Sequence, residues 1–232
     1  MPSFMDTRDL LRGLRFIDSF FPSGGYAFSS GLEAAVQGGA VLNGEDLSRY
    51  VQGVLRSGLG QREAVAVGLA HEAAVCNNLR SALAADRELD AMKISREGRL
   101  ASRQMGRQVI RIAAEQAESS SMLRNFLAEV EAERSPGHLA ICLGLTLGVF
   151  GWSKEETVAA FLYQSAVGLV SAALKLLPIG QREAQQLLHE WTPLIEELRR
   201  RAVSQNLMMS WTPVEDIYAM NHSRLATRLF RS

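Results

Sequence analysis

Apolar positions recur at three- and four-residue spacing along almost the whole chain, the period of amphipathic helices. Residues 9–20 carry Leu10, Leu14 and Ile17 on one predicted face. Pro22 disfavours helix at Phe21, and Gly24 and Gly25 tolerate positive φ, so residues 22–25 should end that helix sharply. Ser29 or Ser30 is then placed to cap a second helix over 31–37. Asn43 caps a predicted helix holding Leu47, Tyr50, Val51, Val54 and Leu55. Gly58 and Gly60 interrupt before a helix over 63–75. Asn77 or Asn78 caps another with Leu79, Leu83 and Leu89. A long helix over about 95–118 has Ala101, Met105, Val109 and Ile112 on one stripe, and a shorter one carries Leu123, Phe126, Leu127 and Val130.

Ser135, Pro136 and Gly137 break the pattern before the longest apolar run, 139–150. That run is about half the roughly 20 residues a membrane span needs. It reads as a buried helix whose Gly144 and Gly148 let a neighbour come close. Ser153 and Glu156 form a capping box that opens a long helix stopping at Pro178. Pro193 after Thr192 predicts a fresh helix start, and Thr212, Pro213 and Glu215 combine a first-position proline with a second box. Leu225, Leu229 and Phe230 near the chain end suggest that the tail docks. No run alternates as a strand would. The expected fold is all-α: one domain over 1–232, a bundle of roughly eight to ten helices without a long linker or a repeat.

Composition narrows the class. The 232 residues are 47% hydrophobic and 22% charged, as in a globular protein. Twenty-five Lys and Arg balance 25 Asp and Glu, so bulk charge gives no drive towards nucleic acid or an anionic membrane. Two cysteines, Cys76 and Cys142, make no disulfide scaffold, and residues 1–10 have no signal-peptide core; a reducing cytoplasm is expected.

Catalytic motifs are missing. No phosphate-binding Gly-x-x-x-x-Gly-Lys-Ser/Thr occurs, no dinucleotide fingerprint, and neither Ser23 nor Ser29 is the middle residue of a Gly-x-Ser-x-Gly elbow. His71 and Glu72 begin a zinc-protease motif that would need histidine at Val75. His138 and Cys142 stand four apart on one helical face and could give two ligands to a soft metal, or be a helix-start histidine and a core cysteine. Two ligands do not close a site. Arg96, Arg99, Arg103, Arg107 and Arg111 make a basic stripe, read as a solvated face or a dock for an acidic partner. Without interleaved aromatics it does not suit nucleic acid. Lys175 falls in the last turn of its helix, where a cation suits the macrodipole, on a helix rich in small residues.

Three segments together resemble the UreF-type urease accessory proteins. The first is residues 21–33, Phe-Pro-Ser-Gly-Gly-Tyr-Ala-Phe-Ser-Ser-Gly-Leu-Glu. The second pairs Tyr163, Gln164 and Ser165 with the run from Lys175 through Pro178 to Gln181. The third is the end, residues 220–232, similar to that family's Met-x-His-Glu…Ser-Arg-Leu-Phe-x-Ser terminus. Residues 99–106 add a weaker match. Departures are Ser223 where the family often has Glu, Thr227 and Arg231 around Arg-Leu-Phe, and Met209 near where some members carry a cysteine.

The resemblance implies a helical, dimeric, non-catalytic scaffold for nickel insertion into urease. Its implied partners are a UreD/UreH-type accessory protein, a UreG-type GTPase and apo-urease, with neither nucleic acid nor membrane among them, and control of the GTPase is a role proposed for the family. It implies partner-binding roles for Tyr26, Tyr163, Lys175, His222 and Arg228. No cofactor is expected to stay bound, and nickel would pass only transiently. The alternative is a direct nickel carrier using His138, Cys142 and His222.

Overall fold

The computed structural model describes residues 6–117, 120–209 and 211–231, and of Glu215 the backbone only. Position 118 at the expected helix end, the Glu215 arm of the second capping box and Ser232 of the tail lie outside the described residues. Among those described there are eleven α-helices and no strand. The all-α expectation is met.

Two helices that are apolar all round form the centre, as burial on every side requires. They are α4 (Ala64–Val75) and α8 (Leu139–Val149). Their contact is the most extensive in the fold. A Cβ on Gly144 would lie 2.4 Å from the Val67 carbonyl oxygen, so the backbones touch as the two glycines of the apolar run predicted. Around this pair pack α6 (Arg96–Gln116), against α8, and α9 (Lys154–Leu176), against α4 and α8, with α10 (Gln181–Ser204) on α9. Helices α5 (Leu79–Met92) and α7 (Ser121–Glu131) flank the other side. By length and composition α9 could cross a bilayer; half of its most apolar window is buried in the bundle.

The cap residues do what local chemistry predicts. Asn43 accepts from the Asp46 amide at the start of α3 (Gly44–Val54), Asn78 from Ser81 before α5, and Ser95 from Gly98 before α6. Ser153 and Glu156 close the capping box of α9. Before α2 (Leu32–Gln37) the cap position is Gly31, at φ 85°, while the Ser29 hydroxyl accepts from the Glu33 amide.

Three expectations are corrected. Helix α1 (Thr7–Ile17) stops early, and its buried residues are Gly13 and Phe16, not Leu10 and Leu14, which are 38% and 41% exposed. The Trp152 indole fills the space over Gly13 and donates to the Asp9 carbonyl, and Phe16 packs on Phe21 and Phe150. That contact fixes which face turns inward. Pro193 lies inside α10 rather than at a helix start. The stripe Leu187, Leu188, Trp191, Leu194, Ile195 and Leu198 is buried continuously through it. Packing thus outweighs the hydrogen bond that proline cannot donate. Third, Thr212 makes no side-chain cap bond for α11 (Pro213–His222); its hydroxyl donates to Asp216 instead.

Between α3 and α4 the chain widens into a π-helical segment, Leu55–Glu63, broken by non-helical dihedrals at Ser57. The freed carbonyls find partners: Gln61 Nε2 donates to the Arg56 oxygen and Ser57 Oγ to that of Gly53. Such bulges re-aim side chains. Here Arg62 and Glu63 are directed under a groove.

Candidate functional site

The groove has a volume of about 260 Å³ and is bounded by all three of the motif segments. Gly25, Tyr26, Phe28 and Ser30 come from the first, Gln164, Ser165 and Lys175 from the second, and Phe230 from the third. Helix α6 closes one side with Gly98 and with Ala101, Ser102 and Met105, the last three within the stretch 99–106 that gave the weaker match. Small residues on α9, Gly168 and Ser171 among them, keep the groove open.

The chain end is tied to the first segment by a buried carboxylate. Glu33 is fully buried on α2. Its oxygens accept the Leu229 amide at 2.7 Å, the Phe230 amide at 3.2 Å and His222 Nε2 at 2.8 Å. The other ring nitrogen of His222 faces Glu97 of α6 at 3.1 Å. Burial pushes the Glu33 carboxyl up, but the Leu229 amide, the His222 ring and the Phe230 amide pull it down further, to a net value below the usual one. Two more bonds hold the tail: Arg231 N donates to the Ala27 oxygen and Gln37 Nε2 to that of Thr227. The Lys175 ammonium stands 5.2 Å from the centre of the Phe230 ring, within cation–π range.

The implied partner-binding residues therefore fall into two groups. Tyr26, 77% exposed, and Lys175 line the groove, while Arg228 lies beside it, 3.9 Å from Glu97. His222 is buried beneath them and offers no surface. Tyr163 is exposed on α9, roughly 18 Å along the helix axis from Lys175 at the usual rise per residue. Sequence reasoning passed over Glu33 and Glu97. The available signal was Glu33 itself, a lone charge within Leu32-Glu33-Ala34-Ala35-Val36.

The metal candidates are buried. His138 is buried, with Nε2 on Asp90 at 2.9 Å and Nδ1 against the Ser102 hydroxyl at 3.1 Å. Burial holds its ring below the ordinary histidine value. Cys142 is fully buried, and burial raises its thiol well above the ordinary value. Among the described residues no group of three or more His, Cys, Asp or Glu is placed to hold a metal ion. The basic stripe of α6 is divided: Arg103 pairs with Asp90, whereas Arg96, Arg107 and Arg111 are exposed.

Under the groove, Glu63 sits 2.6 Å from Lys93 and 3.5 Å from Arg62. Burial would raise its carboxyl, yet the Lys93 and Arg62 charges outweigh that and lower it from 4.5 to about 2. A carboxyl depressed in the folded state stabilises above its unfolded value and ceases to do so as pH falls through the folded one. Acidification from pH 5 to about 2 should therefore remove roughly 3 kcal/mol from this group. Urea midpoints measured across that range check it, and Glu63→Gln should flatten the drop.

The chain matches known proteins over nearly its whole length. The UreF family model matches residues 41–192, more than half the chain. The urease accessory protein UreF of Actinobacillus pleuropneumoniae is 34% identical over 224 residues, covering 94% of this chain and 97% of that one. Those of Trichodesmium erythraeum and Bacillus sp. (strain TB-90) are 32% and 30% identical, with at least 96% of each chain covered. With its motif segments gathered round one groove and its length matched nearly end to end, the chain belongs to the UreF family.

Proposed function

We propose that this chain is a urease accessory protein acting as a non-catalytic scaffold in nickel-dependent maturation of urease. It bridges a UreD/UreH-type protein and a UreG-type GTPase, presents the assembly to apo-urease, works as a homodimer in the cytoplasm, and modulates the GTPase. The observation that carries this reading is the gathering of three separated motif segments round one groove with Tyr26 and Lys175 on its rim. Nickel is cargo in this scheme. The internal bonding of His138 and His222 and the burial of Cys142 support a scaffold over a carrier.

Co-purification with the cognate GTPase and UreD/UreH-type protein tests the proposal. If no complex forms and urease is activated normally after deletion, it fails. Nickel titration should give weak binding that Cys142→Ala leaves unchanged; a tight site lost in that variant would establish the carrier instead.

Arg228→Ala separates binding from folding. Its side chain is 46% exposed, and an exposed ion pair at 3.9 Å contributes little to stability. Complex affinity should fall about tenfold, as for an interface arginine. The melting temperature should stay within a few degrees. A large loss of stability with normal complex formation would contradict this assignment.

A further inference from the structure

We infer that Glu33 is a positioning residue for the partner-binding surface, its buried carboxylate latching the chain end against the groove. This rests on the proposed scaffold function. Glu33 is fully buried, and it is the one charged residue of α2. Among the described residues, the partners of its carboxylate are the amides of Leu229 and Phe230 and the ring of His222. Four acceptor lone-pair positions on one carboxylate meet three donors, a match that a neutral amide cannot supply. The latch fixes Phe230 under Lys175 and holds Arg231 to the Ala27 carbonyl next to Tyr26. Tyr26, Lys175 and Arg228 thus keep their mutual placement through a residue that itself reaches no solvent.

Glu33→Gln tests this directly. The glutamine NH₂ would face a donor, so at least one tail bond is lost while side-chain volume is kept. Hydrogen exchange of the free full-length protein should show the Leu229 and Phe230 amides exchanging at least about tenfold faster, with α4 and α8 still protected. Affinity for the cognate GTPase in the presence of the UreD/UreH-type protein should fall about tenfold. Unchanged exchange at Leu229 and Phe230 would overturn the latch. A loosened tail with unchanged affinity would overturn the positioning role. Should Glu33→Gln not fold, Glu33→Asp keeps the charge, draws the carboxylate one methylene back from the Leu229 and Phe230 amides, and gives the same two readings. If the wild-type chain binds neither partner, the proposed function fails, while the exchange result still decides the latch.

Discussion

Asp86→Ala should cost about 4 kcal/mol, lowering the melting temperature by about 10 °C in a chain of this size. Asp86 is fully buried on α5, yet its work is done at the start of α8. One oxygen accepts the Gly137 amide and the Ser135 hydroxyl, both at 2.7 Å, and the other accepts the His138 amide at 3.0 Å. A helix start leaves amides without partners, and His138 makes no side-chain cap bond of its own. Alanine would strand those donors away from water, and each buried orphan costs about 1–3 kcal/mol. Asp86→Asn keeps one accepting oxygen and should lose roughly half as much. Urea unfolding of the three proteins measures the series. A loss below about 1 kcal/mol for alanine would mean that α8 finds other acceptors.

Gly144→Ala should cost about 3 kcal/mol, a large effect for one added methyl. The new Cβ would meet the Val67 carbonyl oxygen at 2.4 Å and the Ala70 Cβ at 2.9 Å. Both lie on the facing helix, so α4 and α8 would have to separate along their shared seam. Gly168→Ala is the matched control. Nothing lies within 4 Å of a Cβ built there, in the middle of α9. Helix propensity alone should then stabilise the chain, by up to about 1 kcal/mol. Thermal melts that fail to separate these two glycines would refute the close-approach account.

The parts of this fold legible in the sequence are those set by neighbours a few residues away. Asn43, Asn78, Ser95 and Ser153 cap helices by bonds to amides three residues on, so their spacing alone identifies them. The glycines of α8 are likewise legible, because an apolar helix with small residues has to receive a neighbour. Pro193 misled because its local rule holds only where packing does not oppose it, and a continuous buried stripe does. Leu10 and Leu14 misled because Trp152, 138 residues or more away, chooses the inner face of α1.

The site divides the same way. Tyr26, Lys175 and Arg228 stand within motifs, but what joins them is a carboxylate on α2, a histidine on α11 and another carboxylate on α6. No periodicity links such positions. What could have been noticed is a charge out of place: Glu33 in an apolar helix, and Asp86 on the face that Ala82 and Leu89 bury. A buried carboxylate needs donors, and here the donors lie far along the chain.

That distance has a consequence in time. Glu33 and Leu229 are 196 positions apart. At common rates of synthesis a ribosome needs ~10–40 s to add that many residues. During that interval the α2 carboxylate lacks the Leu229 and Phe230 amides, and the groove lacks the Phe230 side. The Phe230 wall of the groove is therefore added long after the carboxylate that holds it. A nascent chain that has not reached Leu229 lacks both the amide ties to Glu33 and the Phe230 wall of the groove.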